Sequence, residues 1–267
     1  MINVIVAGAA GRMGGRIMQA VLDHPSLELA RAFERPDHPA LGRDAGLAAG
    51  LVEVGLPLAG SLEEIIENGE VVIDFTAKAA TLKNIETVAG NGRAMVAGTT
   101  GFTPEETARI REMAKGIRLV MAPNMSVGVN LLFKIVGDVA RILGEGFDIE
   151  IVEAHHRMKK DAPSGTALRL AQVLAEAVGR DLGTCGVYGR EGLVGERTAN
   201  EIAVLAVRAG DIVGDHTVMF GGIGERIEIT HRAHSRDTFA RGAARAAAWV
   251  ADQTPGVYDM QDVLGLK

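Results

Sequence analysis

Short apolar runs alternate with helix-spaced apolar patterns along the first half of the chain. Ile2-Asn-Val-Ile-Val-Ala7 is β-branched and reads as a central parallel strand. After Gly8-Ala-Ala-Gly11-Arg-Met-Gly14, the residues Met13, Ile17, Ala20 and Val21 recur at helical spacing and stop before Pro25. Leu27 to Phe33 is a second apolar strand. Pro36 to Leu58 is irregular and glycine-rich, and Ser61-Leu-Glu-Glu64 reads as a capping box opening a short helix that stops near Gly69. Val71 to Asp74 predicts a strand, Ala79 to Ala89 a helix, Ala94 to Ala97 a strand and Leu119 to Met121 another. Between the last two, Thr103-Pro104-Glu-Glu106 combines an N-cap, proline at the first helical position and a capping box, with the helix ending near Gly116.

The pattern then changes. Val127 to Leu143 predicts a long apolar helix, Asp148 to Ala154 a strand and Thr166 to Val178 a helix. Gly179 to Asn200 reads as loop. Glu201 to Arg208, His216 to Phe220 and Glu225 to Arg232 follow as strands without intervening helices, which predicts a mixed or antiparallel sheet. Ile227 and Ile229 alternate with Arg226, Glu228 and Thr230, as in a sheet with one wetter face. An alanine-rich helix spans Asp237 to Val250, and Val257 to Leu264 reads as a closing turn on the first domain. The fold class predicted is α/β: a Rossmann-type doubly wound parallel sheet, plus a second α+β domain with a mixed or antiparallel sheet. Residues 1–126 with 237–267 form the expected dinucleotide-binding domain, and 127–236 the expected substrate-binding and oligomerisation domain.

Composition narrows the function. The chain has 267 residues, 47% hydrophobic and 23% charged, with a formal net charge of -6 and no long basic run. Nucleic acid is therefore not an expected partner. Ile2 to Ala10 runs directly into the glycine turn, without the basic start of a leader or the length of a membrane span, and the one cysteine, Cys185, fits a reducing compartment. The expectation is a cytoplasmic protein. No Cys or His lies at a recognisable metal-ligand spacing, so no metal is expected, and Cys185 has no evident activating partner.

Two stretches carry candidate chemistry. In the first, Gly8 permits a tight turn, Gly11 lets the backbone approach a pyrophosphate and Gly14 lets helix and strand pack. Glu34, at the end of the next strand, can accept bonds from ribose hydroxyls, and Arg35 can meet a 2′-phosphate. Together they predict use of NADH or NADPH. The strand ends at Phe75-Thr76, Gly98 to Thr100 and Ala122 to Met125 share the sheet edge of the glycine turn and form the expected cofactor walls.

The second stretch is Glu153-Ala-His-His-Arg-Met-Lys-Lys-Asp-Ala-Pro-Ser-Gly-Thr-Ala167. Ser164 is a good N-cap, and the backbone N–H groups at the helix start, Gly165 and Thr166, offer an anion site. Titratable His, fixed positive charge and an anion hole in one segment suit a small acidic substrate that exchanges a proton. His231 and His234 read as strand-end residues, with Arg236 near them a candidate carboxylate clamp.

These motifs, together with Ile73-Asp-Phe-Thr76, Gly98-Thr-Thr-Gly-Phe102, Asn124-Met-Ser-Val-Gly-Val-Asn130, Arg208-Ala-Gly-Asp-Ile-Val-Gly214 and Glu228-Ile-Thr-His231, span nearly the whole chain. The sequence resembles the 4-hydroxy-tetrahydrodipicolinate reductase (dihydrodipicolinate reductase) family of lysine and diaminopimelate biosynthesis. The resemblance implies NAD(P)H-dependent reduction of a small dicarboxylate with loss of water, and a homotetramer built through the second domain's sheet. It implies His155 as proton donor and Lys159 as a second donor, with His156, Gly165 and Thr166 binding substrate. Gly8, Ala9, Ala10, Gly11, Arg12, Met13, Glu34, Arg35, Gly98, Thr99, Thr100, Ala122, Pro123, Asn124 and Met125 are implied to bind the dinucleotide. Where family members often carry a basic residue and then proline after Phe-Thr, this chain reads Ala77-Lys78, and Lys78 is the candidate replacement. A different Rossmann-type dehydrogenase, or a redox sensor without turnover, would share the first half but have no need of the His-His to Ser-Gly-Thr block.

Overall fold

The computed structural model describes all 267 residues. The chain opens with β1 (Ile2–Ala7), α1 (Gly14–Leu22), β2 (Leu27–Phe33), a one-turn α2 (Ala45–Ala48), β3 (Val71–Asp74), α3 (Lys78–Gly90), β4 (Ala94–Ala97), α4 (Pro104–Met113) and β5 (Arg118–Met121). It continues with α5 (Val127–Leu143), β6 (Asp148–His155), α6 (Gly165–Ala177), α7 (Leu182–Cys185), β7 (Gly186–Val187), β8 (Ile202–Arg208), β9 (Gly214–Gly221) and β10 (Arg226–Ala233). It closes with α8 (Asp237–Val250), β11 (Gly256–Tyr258) and α9 (Met260–Leu264). Two compact units result: Met1–Val127 with Arg236–Lys267, and Gly128–Ser235.

In the first unit the six strands are ordered β11-β5-β4-β3-β1-β2, and every pairing is parallel. A parallel sheet must bury both faces, so its strands are apolar on both sides. Successive β1 residues divide accordingly. Val4 and Val6 pack with α1 and the alanines of α8, whereas Ile5 and Ala7 pack with Ile85, Val88 and Ile110 of α3 and α4. The small side chains of α8 allow close approach: a Cβ on Gly242 would lie 1.8 Å from the Met125 carbonyl oxygen. Thr103 caps α4 through the predicted reciprocal box with Glu106.

Three expectations in this unit need correction. Ser61 donates to the Glu64 carboxylate at 3.2 Å instead of capping a helix, and the segment forms turns with a single 3₁₀ turn at Ile66–Asn68. Within the irregular region Asp44 caps α2 and also accepts from Val54 and Leu56. Val257 to Leu264 is more than a turn, because Gly256–Tyr258 adds the sixth strand beside β5, and Asp259 caps α9.

The second unit has a mixed sheet ordered β10-β9-β6-β8-β7. β9 runs antiparallel to both β10 and β6, whereas β6 and β8 are parallel. α5 and α6 cover one face, burying Leu132, Phe133, Val136, Leu170 and Leu174 against Ile149, Ile151, Ile202, Val204, Val218 and Phe220. Val207 and Ile227 remain exposed. On β10 the expected alternation is blurred, since Arg226, Ile227 and Glu228 are all exposed at this edge strand. The stretch read as loop contains α7 and β7, and Arg197 ties it to β6 through Asp148 and Glu150.

Candidate active site

In the first unit the glycine turn is held from three directions. Gly8 adopts φ +62°, Gly11 N–H donates to Gly8 O at 2.9 Å, and Ala9 N–H donates to Phe33 O at 3.2 Å. The Glu34 carboxylate accepts from Ala10 N–H at 3.1 Å, so β2 fixes the turn as well as lining the cavity beside it. A Cβ on Gly14 would come within 2.1 Å of Gly8 O, so only glycine lets α1 start this close to the turn. Met13, the residue before α1, supplies no side-chain cap. The helix start thus keeps donors for an anion, and the turn fits a dinucleotide's pyrophosphate.

All of the sequence-predicted cofactor residues except Ala9, Thr99 and Thr100 line one of three cavities. Gly8, Glu34 and Arg35 line a cavity of about 320 Å³ with Phe33, Leu62, Ala80 and Lys83. Met13, Gly98, Ala122, Pro123, Asn124 and Met125 line another of about 220 Å³, with Phe75, Arg236 and Phe239. Ala10, Gly11 and Arg12 open onto a groove of about 560 Å³ beside Arg16 and Arg241. Gly98 lets the Phe75 ring lie over it, since a Cβ there would come within 2.2 Å of the ring and displace it. Ala9 is fully buried. Thr99 is buried and its hydroxyl is shared with Thr81 at 2.7 Å, whereas Thr100 is exposed. Lys78 lies outside these cavities and pairs with Glu106 at 3.1 Å. Arg236, read as a carboxylate clamp, belongs to the first unit and faces the cavity of Gly98 and Asn124.

Asp74, given no role from sequence, organises this edge. Fully buried, it accepts from Thr76 N–H at 2.8 Å, Thr76 Oγ1 at 2.6 Å, Thr81 Oγ1 at 3.2 Å and Asn84 Nδ2 at 2.7 Å. Its carbonyl accepts from Gly98 N–H. The Phe75-Thr76 turn is thereby fixed.

The second unit holds the acid–base cluster. β6 ends in His155, which lies in register with Arg208 on β8. Glu153 and His155 are two apart and share one strand face. Glu153 is fully buried and His155 is 8% exposed. Glu153 Oε2 bonds His155 Nδ1 at 2.5 Å, Arg208 donates to both carboxylate oxygens at 2.9 and 2.8 Å, and Ser164 N–H donates at 3.1 Å. Burial pushes the Glu153 carboxyl up, but Arg208, His155 and Ser164 N–H outweigh it and hold it below the usual range. Burial pushes His155 down, with Glu153 acting against it, and the net direction is down.

His216 on β9 stands edge-on to His155, with ring centroids 5.2 Å apart, and its Nε2 lies 3.3 Å from Ser164 Oγ. Burial, then the neighbouring His155, pushes it to about 3. Ser164 Oγ also accepts from Ala167 N–H at 3.2 Å, the predicted N-cap of α6. His156 N–H donates to Ile212 O and Arg157 N–H to Gly210 O, so the segment after β6 is laced to the Arg208–Gly214 turn. His156 Nδ1 is buried without a hydrogen-bond partner in the protein. Lys159 is largely covered and its Nζ lies 2.9 Å from Asp161 Oδ1. Gly165 starts α6, and a Cβ there would meet nothing within 4 Å.

A Rossmann-type sheet with a glycine turn in one unit, and a buried carboxylate–histidine pair beside a lysine in the other, define a nicotinamide-dependent oxidoreductase. Residues 2–125 match the family model "Dihydrodipicolinate reductase, N-terminus", and residues 128–264 match "Dihydrodipicolinate reductase, C-terminus". The chain is 57% identical to the 4-hydroxy-tetrahydrodipicolinate reductase of Citrifermentans bemidjiense and 55% identical to that of Geotalea uraniireducens, each over 267 residues and the full length of both chains. It superimposes on a dipicolinate-bound dihydrodipicolinate reductase from Paenisporosarcina sp. TG-14 with a TM-score of 0.76, at 25% identity and 98% coverage of both chains. The chain belongs to the dihydrodipicolinate reductase family and uses NADH or NADPH. The C-terminal family segment includes Arg236 to Leu264, which the fold returns to the first unit.

Proposed function

We propose that His155 is the proton donor in the reduction of 4-hydroxy-tetrahydrodipicolinate to tetrahydrodipicolinate, with loss of water, and that Lys159 is a second cationic donor. This is the lysine and diaminopimelate pathway reaction carried by the family's name and membership. NADH or NADPH, when bound, supplies the hydride. The observation that carries the residue assignment is the buried Glu153 carboxylate on His155 Nδ1.

Reduction leaves electron density on the substrate ring that a positioned acid must quench. Glu153 commits Nδ1 as a donor, so Nε2 is the nitrogen that delivers the proton. Gly214 keeps that nitrogen uncrowded, since a Cβ there would lie 3.0 Å from Nε2. Burial makes the His155 imidazolium a stronger acid than a solvated one, and Glu153 keeps it chargeable. Lys159 supplies fixed positive charge for the developing anion or a carboxylate. The start of α6 at Gly165 and Thr166 receives one carboxylate, and His156, with an unsatisfied buried Nδ1, makes a further contact. Gly165 has no protein neighbour that demands glycine, which supports close approach of a ligand.

The dinucleotide is held by Gly8 to Met13, Glu34, Arg35, Gly98 to Thr100 and Ala122 to Met125. The first unit is thus the dinucleotide domain and the second the substrate domain. No helix is long and apolar enough to cross a membrane. We read the enzyme as cytoplasmic and homotetrameric, as the family resemblance implies; light scattering on the purified protein tests the assembly.

The decisive assay follows nicotinamide absorbance with substrate formed in the cuvette from pyruvate and aspartate semialdehyde by the upstream synthase. Rapid substrate-dependent oxidation supports the assignment and gives the cofactor preference. Tight dinucleotide binding without turnover would overturn it in favour of a different dehydrogenase or a redox sensor.

A further inference from the structure

Two basic side chains stand at the cavity of Glu34, and one of them has no counterpart in the motifs. Arg35 follows β2; Lys83 projects from α3. Ala77, Ala80, Lys83 and Asn84 follow helical i, i+3, i+4 spacing and all line the cavity. Lys78 is five residues before Lys83, roughly 140° around the helix, and its ammonium is turned to Glu106 on α4.

Both cavity cations rest on exposed carboxylates: Lys83 Nζ on Glu63 Oε1 at 2.9 Å, and Arg35 Nε on Asp37 Oδ1 at 3.0 Å. Exposed pairs of this kind are weak and screened by solvent, so a dianion can displace either carboxylate. Lysine suits the exchange, being a compact charge on a flexible stem. Glu34 cannot take a phosphate itself. Its carboxylate is occupied by Ala10 N–H and Arg35 N–H, and its negative charge directs a second phosphate outward, toward the cations. Phe33, Leu62 and Ala80 give the cavity an apolar stretch of wall, beside Ser61, Thr76 and Asn84, that suits a flat heteroaromatic base.

We propose that Lys83, together with Arg35, receives the 2′-phosphate of NADPH and sets the choice between the two dinucleotides. The proposal rests on the reading of this cavity as the adenosine end of the cofactor site.

Dissociation constants for NADPH and NADH, measured by nicotinamide fluorescence on the full chain, test it without turnover. Lys83→Ala should weaken NADPH by about tenfold at low salt and leave NADH within about twofold, with Lys83→Arg restoring most of the loss. Glu63→Gln should tighten NADPH by releasing Lys83. Adenosine 2′,5′-bisphosphate should raise the melting temperature of wild type more than of Lys83→Ala, whereas 5′-AMP should not distinguish them. NADPH binding unchanged in Lys83→Ala, or equal losses for both dinucleotides, would overturn the role of Lys83 alone. Failure of the wild-type chain to bind either dinucleotide would overturn the cavity reading and Lys83 with it.

Discussion

The carboxylate of Glu153 lies 2.5 Å from Nδ1 of His155, two residues along the same face of β6, with no solvent on the acid. Arg208 and Ser164 N–H take up its remaining acceptor capacity, so the pair is fixed from β8 and from the start of α6. Glu153→Gln should lower kcat on the order of 10²-fold. Because Glu153 raises the His155 pKa against burial, its loss should also move the basic limb of the pH–rate profile to lower pH. A profile that keeps its limb while activity falls would mark Glu153 as a packing residue only.

His155→Ala removes the donor and should cut kcat by about 10²–10⁴ while NADH and NADPH bind as before. Steady-state rates combined with fluorescence titration separate the two effects. An unchanged kcat would take His155 out of the mechanism.

Elements with strong periodicity were legible from sequence to the residue. α5 and α8 carry an apolar face along their whole length, and the observed bounds Val127–Leu143 and Asp237–Val250 are the expected ones. Short elements were not. Gly256–Tyr258 is a strand only because β5 offers it an open edge, and Ser61-Leu-Glu-Glu64 has capping-box residues whose side chains bond each other. The site divides in the same way. His155, Lys159 and Ser164 sit in one continuous block that could be read directly. Arg208 and His216 reach Glu153 and Ser164 through strand register, across 55 and 52 residues of chain. Lys83 was invisible for a related reason: facing a cavity is a property of helix phase, and the motif drew notice to Lys78.

Gly14 and Gly15 are neighbours with opposite constraints. A Cβ on Gly14 would lie 2.1 Å from Gly8 O and 2.6 Å from the Ala9 Cα, both backbone atoms of the turn. Gly14→Ala should therefore destabilise the protein by about 1–3 kcal/mol and weaken both dinucleotides together. On Gly15 the nearest atoms are Ala49 Cβ and O at 3.2 Å, and alanine gains up to about 1 kcal/mol of helix propensity, so Gly15→Ala should be close to neutral. Melting curves and NADH titrations of the two variants make the comparison; a near-neutral Gly14→Ala would show that the turn tolerates a Cβ there.

His216 should make the protein acid-sensitive. It is 3% exposed and pushed to about 3 by burial and then by His155, whereas in the unfolded chain it titrates near 6.5. With the folded value below the unfolded one, the unfolded chain takes up the proton first. The stability that His216 contributes is complete above about pH 6.5 and declines as pH falls toward 3, by about 2 kcal/mol at pH 5. The groups around it, Ser164, His155, Glu153 and His231, remain in a His216→Asn variant, whose neutral amide can still donate to Ser164 Oγ. That variant should lose less thermal stability than wild type between pH 7.5 and pH 5, by roughly 4–8 °C. Parallel losses in the two proteins would assign the acid sensitivity to other groups.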